Sequence, residues 1–199
     1  MSSKSIGKLM GMVMAGLMLA SGASAQVGPG LRFLSDTNGL TVVGPAAGQF
    51  FRMRITGKEV GRLRTPKKYW FRADGLRFEF LSEENINFLP TDIPQRLDDR
   101  VVLELYRTQF LRANGNPKIR SKWVRLSSGM TALFWSYDKF VATPGPGNKS
   151  EREMFLIVAG PGHVFGLFAP VSRGGTEPET RRLLTRTLGT LTFLDEMEN

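Results

Sequence analysis

The chain holds a single histidine, His163, the only side chain whose ordinary pKa lies near neutrality. Any Ser-His-Asp hydrolase would have to be built on it, because the general base must accept a proton near pH 7. It follows Gly160-Pro161-Gly162, and that composition predicts a tight surface turn. One histidine and no HExxH sequence exclude the common zinc-hydrolase pattern. The absence of cysteine removes thiolate nucleophiles, disulfides and cysteine-ligated zinc or iron–sulfur centres together. No cofactor and no metal site are expected.

Carboxylates remain as possible chemistry. Glycoside hydrolysis needs two acids facing each other across a cleft, whereas Glu83-Glu84 and Asp98-Asp99 are merely adjacent. Neighbouring acids point apart on a strand and do not share a helix face. A calcium site at Asp92, Asp98 and Asp99 lacks the regular loop spacing such sites use. In Gly147-Asn148-Lys149-Ser150, asparagine stands where a phosphate-binding loop has glycine, and Glu151-Arg152-Glu153 leads into a strand instead of a helix. Asn148-Lys149-Ser150 also matches a glycosylation acceptor, a three-residue pattern that arises by chance.

The densest cluster is cationic. Arg52, Arg54, Lys58, Arg62, Arg64, Lys67, Lys68, Arg72 and Arg77 are interrupted only by Glu59 and Asp74, with Glu79 just beyond. Arg52, Arg54, Arg62, Arg64, Lys67 and Lys68 make a candidate docking patch for an acidic protein or an anionic envelope surface, where opposite charge speeds encounter. The competing explanation is a sheet edge defended against aggregation by charge.

Compartment narrows the partners. Lys4 and Lys8, the apolar run Leu9–Ala20 and Ala23-Ser24-Ala25 have the layout of a cleaved secretory signal, which would leave a mature chain starting at Gln26. The run is shorter than the roughly 20 residues that span a bilayer comfortably. The cleaved protein is expected not to be integral to the membrane. The precursor carries a net charge of +9, falling to +7 once the two leader lysines leave. An exported basic protein meets lipid headgroups, wall polymers and acidic proteins, so nucleic acid is not expected as a partner. Oligomeric state is not encoded in any pattern found here.

The elements that must position these residues are mostly strands. Residues 26–45 read as a flexible arm, with a short strand possible at Leu40–Val43. Phe51, Met53 and Ile55 alternate with Arg52 and Arg54, the two-residue period of a half-buried strand. Val60–Leu63 is read as pairing back after Thr56-Gly57-Lys58. Asp74-Gly75 predicts a hairpin between 69–72 and 76–81. Asp98–Ala113 has helical apolar spacing at Val102, Tyr106 and Phe110, with Asn114-Gly115 as a stop. Strands follow at 118–126 and 131–140, the second carrying Leu133, Trp135 and Tyr137 on one face. The runs 154–160 and 164–169 are apolar throughout, as expected of strands covered on both sides. Thr176 and Glu179 have capping-box spacing before a helix that Gly189 ends. One globular domain, 46–195, is expected, of α+β class: an antiparallel sheet with helices packed on its faces.

That order, through Pro66, Trp70, Gly129 before the Leu133/Trp135/Tyr137 strand, and the closing Leu188-Gly189-Thr190-Leu191-Thr192-Phe193, resembles the PsbP-like family over about residues 60–193. The resemblance implies an α/β/α sandwich and an exported, non-enzymatic binding or assembly factor. It carries no ligand motif to particular residues of this chain. Two alternatives stand beside it: a cell-wall or lipid hydrolase using carboxylates, which requires a pocket with at least two convergent titratable groups, and a small-ligand or ion carrier.

Overall fold

The computed structural model describes residues 31–46, 49–64, 69–81, 98–141, 149–160, 163–171 and 175–195. The leader and the polar segment up to residue 30 lie outside them. In chain order the elements are β1 (Arg32–Asp36), β2 (Gly39–Ala46), β3 (Gln49–Thr56), β4 (Gly61–Arg64), β5 (Tyr69–Ala73) and β6 (Leu76–Leu81). Then come α1 (Asp99–Ala113), β7 (Ile119–Arg125), β8 (Thr131–Val141), β9 (Lys149–Gly160), β10 (His163–Val171), α2 (Glu177–Leu188) and β11 (Thr192–Leu194).

The class is α+β and strand-dominated, and every strand pairing among the described residues is antiparallel. Instead of one helix-covered layer, the strands form two sheets, a four-stranded β1-β2-β3-β11 and a seven-stranded β4-β5-β6-β10-β9-β8-β7. The division happens at the β3–β4 connection. Gly57 (φ 148°) and Glu59 (φ 54°) turn the chain out of the first sheet, so β4 pairs with β5 and not with β3 as the sequence suggested.

The reading of 26–45 as an arm also needs correcting from Arg32 onward. Asp36 pairs with Gly39 across a two-residue turn, and β1 and β2 run in register from Arg32↔Val43. Phe33, Leu40 and Val42 join the core, which supplies the burial that holds this hairpin in place.

Alternation along the central strands gives the large sheet two apolar faces. Phe78, Phe80, Phe134, Met154, Leu156, Val158, Phe165 and Leu167 meet Phe51, Met53 and Ile55 of the small sheet and Leu183, Leu184 and Leu188 of α2. On the reverse face Leu133, Trp135, Tyr137, Phe155, Ile157 and Val164 pack under Val102, Leu103 and Tyr106 of α1. β9 contributes to both clusters, which is why its sequence shows no polar alternation.

Local signals set the boundaries. Asp74 (φ 52°) and Gly75 (φ 74°) both adopt positive φ between paired Ala73 and Leu76, the mark of a type I′ hairpin turn. Asp98 caps α1 by accepting the Arg100 N–H at 2.7 Å, and Gly115 (φ 78°) turns the chain away beyond its end. The α2 capping box is complete, Thr176 and Glu179 each bonding the other's backbone amide. Gly189 closes α2 in ordinary right-handed geometry. Glycine is required there for space, because a Cβ would lie 2.5 Å from the Ser127 hydroxyl.

Candidate functional site

Register decides which of the six candidate cations come together. Arg52 and Arg54 alternate with the buried Phe51, Met53 and Ile55, so both face outward from the small sheet. Arg32 pairs with Val43, and Val43 pairs with Arg52, which puts Arg32 on the same outer face two strands away. Leu34 lies beside them at 59 % exposure, the most exposed large apolar side chain among the described residues. Asp36 is the one acid this hairpin contributes, and it is engaged: an Arg54 nitrogen donates to both carboxylate oxygens, at 2.8 and 2.7 Å. That bond, with the Asn38 amide, holds the Asp36 carboxyl below the usual carboxylate range. Arg54 also donates to the Thr41 hydroxyl at 3.0 Å.

The remaining candidates lie elsewhere. Arg62 is on β4, an edge of the large sheet, with its guanidinium 4.3 Å from the centre of the Phe33 ring. Arg64 pairs with Tyr69 at the end of β4. Lys67 and Lys68 fall outside the described residues. Arg32 is the residue that sequence reading missed. The Asn38-Gly39 turn signal and the alternation of Arg32-Phe33-Leu34 were the marks that could have revealed it.

Two other places gather polar side chains. A cleft of about 260 Å³ is lined by Asp74, Leu76, Glu179, Arg182, Leu183 and Arg186. Both its acids are committed. Arg186 donates to Asp74 at 2.7 Å and to the Thr56 carbonyl at 2.6 Å, while the Lys58 amide donates to Asp74 at 2.6 Å. Arg186 and the Lys58 amide together push the Asp74 carboxyl down, and the bonds from Thr176 do the same for Glu179. Groups held ionised in this way cannot act as proton donors near neutrality. The arrangement instead ties α2 to the turn where the chain changes sheets. Replacing Arg186 with alanine should lower stability by about 1 kcal/mol, less in high salt, since the pair is well exposed. Urea unfolding at two salt concentrations measures this.

The second place is where β8 and β9 run alongside α1. Tyr137 donates to Glu153 at 2.5 Å, and the Lys139 ammonium lies 3.0 Å from the other carboxylate oxygen. Burial and the Glu153 carboxylate raise the Tyr137 phenol above its ordinary pKa. All three polar groups are consumed by one another. Asp98 of the conceivable calcium set is taken by the α1 cap, and among the described residues no group of three acids or histidines could hold a metal ion. His163 opens β10 opposite Gly160. No described helix is long and apolar enough to cross a membrane.

No protein-family model matches the chain, and no curated protein matches it.

Proposed function

We propose that this protein is an exported, non-enzymatic binding or assembly factor of the cell envelope that docks an acidic protein through the outer face of its small sheet. The observation that carries this reading is the convergence of Arg32, Arg52 and Arg54 on one face of the small sheet beside the exposed Leu34, where the β1–β2 hairpin contributes Asp36 as its one acid. Cationic residues around an exposed apolar side chain combine electrostatic steering with a contact that can bury area.

The fold that goes with the proposal is a PsbP-like α/β/α sandwich. It is supported by α1 and α2 packing into opposite-face clusters of the large sheet, and by Trp70, Gly129 and Leu188–Phe193 occupying strand, turn and packing positions. The three strands β1–β3 precede the stretch that carries the resemblance, so the docking face would be an addition to that framework. The leader residues support export, and an N-terminus at Gln26 on protein from the envelope fraction would confirm cleavage.

The double charge reversal Arg32→Glu and Arg52→Glu tests the docking face. Both side chains are exposed, so stability should stay within about 0.5 kcal/mol of the original. Association with partners recovered from envelope extract should slow by about tenfold or more. Equal recovery by both forms at low salt would show that the face is not used.

A further inference from the structure

We propose that β7 is a receptor for an acidic, extended segment of another protein, which adds to the large sheet as an eighth strand. This surface is distinct from the face of the small sheet and goes beyond the function proposed above. A sheet edge leaves backbone N–H and C=O groups of alternate residues unpaired, and natural proteins keep such edges short. Three of the four edges among the described residues obey that rule: β11 has three residues, β4 four and β1 five. β7 has seven, and among the described residues it pairs only with β8.

Its charge defines the partner it accepts. From 118 to 125 the sequence reads Lys-Ile-Arg-Ser-Lys-Trp-Val-Arg, four cations with no acid. No described carboxylate forms an ion pair with Lys118, Lys122 or Arg125. α1 adds Arg100 along the same border, while Arg107 donates to Ser121 at 2.9 Å and is paired with Glu104 of its own helix. A second copy of this stretch would bring eight cations together, and like charges facing each other across a strand pair oppose pairing. An acidic strand meets no such obstacle.

The two faces of the strand specify the partner further. Arg120 and Lys122 point to one side of the sheet, opposite Ser136 and Phe134. Ser121 and Trp123 point to the other, opposite Trp135 and Leu133. Trp123 remains 37 % exposed, its ring 5.4 Å from the Arg100 guanidinium. The matching ligand alternates: acids two residues apart against Arg120 and Lys122, apolar residues between them against Trp123. Backbone bonds would supply affinity and these two rows the selectivity.

Three peptides of equal length test the proposal on the purified protein: alternating Glu-Val, alternating Lys-Val, and a Glu-Val peptide of the same charge interrupted by proline. The expected result is binding of the first alone. Amide exchange in β7 should slow at least about tenfold, and Arg120→Glu with Lys122→Glu should weaken binding by a similar factor. Equal binding of the proline peptide, or binding without protection of β7 amides, would reduce the effect to loose charge attraction and overturn strand addition. Loss of binding in the Arg32→Glu, Arg52→Glu form with retention in the Arg120→Glu, Lys122→Glu form would also overturn it, while leaving the small-sheet face in place. No binding of any peptide overturns it outright.

Discussion

Truncating Trp135 to alanine should cost about 3–5 kcal/mol, the range for removing a large aromatic from a packed core. Trp135 is fully buried on β8 and stacks on Phe155 at 4.9 Å with the planes 4° apart. Tyr106 and Phe110 of α1 close over it at 6.1 and 5.7 Å. The ring is therefore the contact through which α1 is held to the sheet, and the cavity left behind could collapse only by moving the helix. Trp135→Phe should behave differently. Among the described residues the indole N–H finds no hydrogen-bond partner, and an unpaired buried donor costs about 1–3 kcal/mol. Phenylalanine keeps the stack and deletes that donor, so its net cost should stay near 1 kcal/mol. Urea unfolding of both variants separates the two effects. A loss below about 1.5 kcal/mol for the alanine form, or equal losses for both, would mean that this stack does not anchor the helix.

The row containing Trp135 shows what the sequence made readable. Leu133, Trp135 and Tyr137 on one face and Ala132 and Phe134 on the other follow from alternation alone, and the structure divides them the same way. The caps of α1 and α2 and the Asp74-Gly75 turn are equally local, because a few neighbouring residues decide them. What alternation does not contain is the partner of each strand. Trp70, Glu79, Phe168, Phe155, Trp135 and Ser121 stand in successive register across six strands drawn from residues 69 to 171. Nothing local to β6 says that it pairs with β10 and not with β7. The division into two sheets was hidden for the same reason, since the turn after β3 looks like any hairpin until Asp74 is seen to hold it.

The proposed docking surface was legible as a composition and not as a place. Clustering in sequence pointed to six cations between residues 52 and 68, but Arg62 lies against Phe33 on a different sheet from Arg52 and Arg54. Arg32 joins those two through strand register, from a segment read as an arm. Proximity in a β-protein runs across strands, so a linear charge run overstates neighbours along the chain and omits those beside it. The cationic stretch 118–125 makes no dense run in the sequence, because its four charges are spread among other residues. Its importance appears only once β7 is known to end a sheet.

Raising the pH above 10 should destabilise the protein steeply, through two tyrosines that the fold keeps neutral. Burial raises the pKa of Tyr106, and burial with the Glu153 carboxylate raises that of Tyr137, both above the ordinary value of 10.0. In the unfolded chain both phenols ionise near pH 10, while the folded protein retains the protons to higher pH. The native state then binds more protons than the unfolded one, so stability falls as pH rises. Their contribution is fully present below pH 10 and is lost progressively toward the raised folded values. Within that window each tyrosine contributes about 1.4 kcal/mol per pH unit, so the pair gives a slope near 2.7 kcal/mol per unit. Tyr106→Phe should remove about half of it and do little else to the charge balance. Tyr137→Phe should remove the other half and also cost about 1.5–3 kcal/mol at pH 7, because Glu153 loses its phenol donor. Unfolding free energies from about pH 9 to 11.5 therefore separate slope from intercept. An unchanged slope in the doubly substituted protein would assign the alkaline transition to other groups, and a flat profile in the original protein would mean that neither phenol is shielded as described.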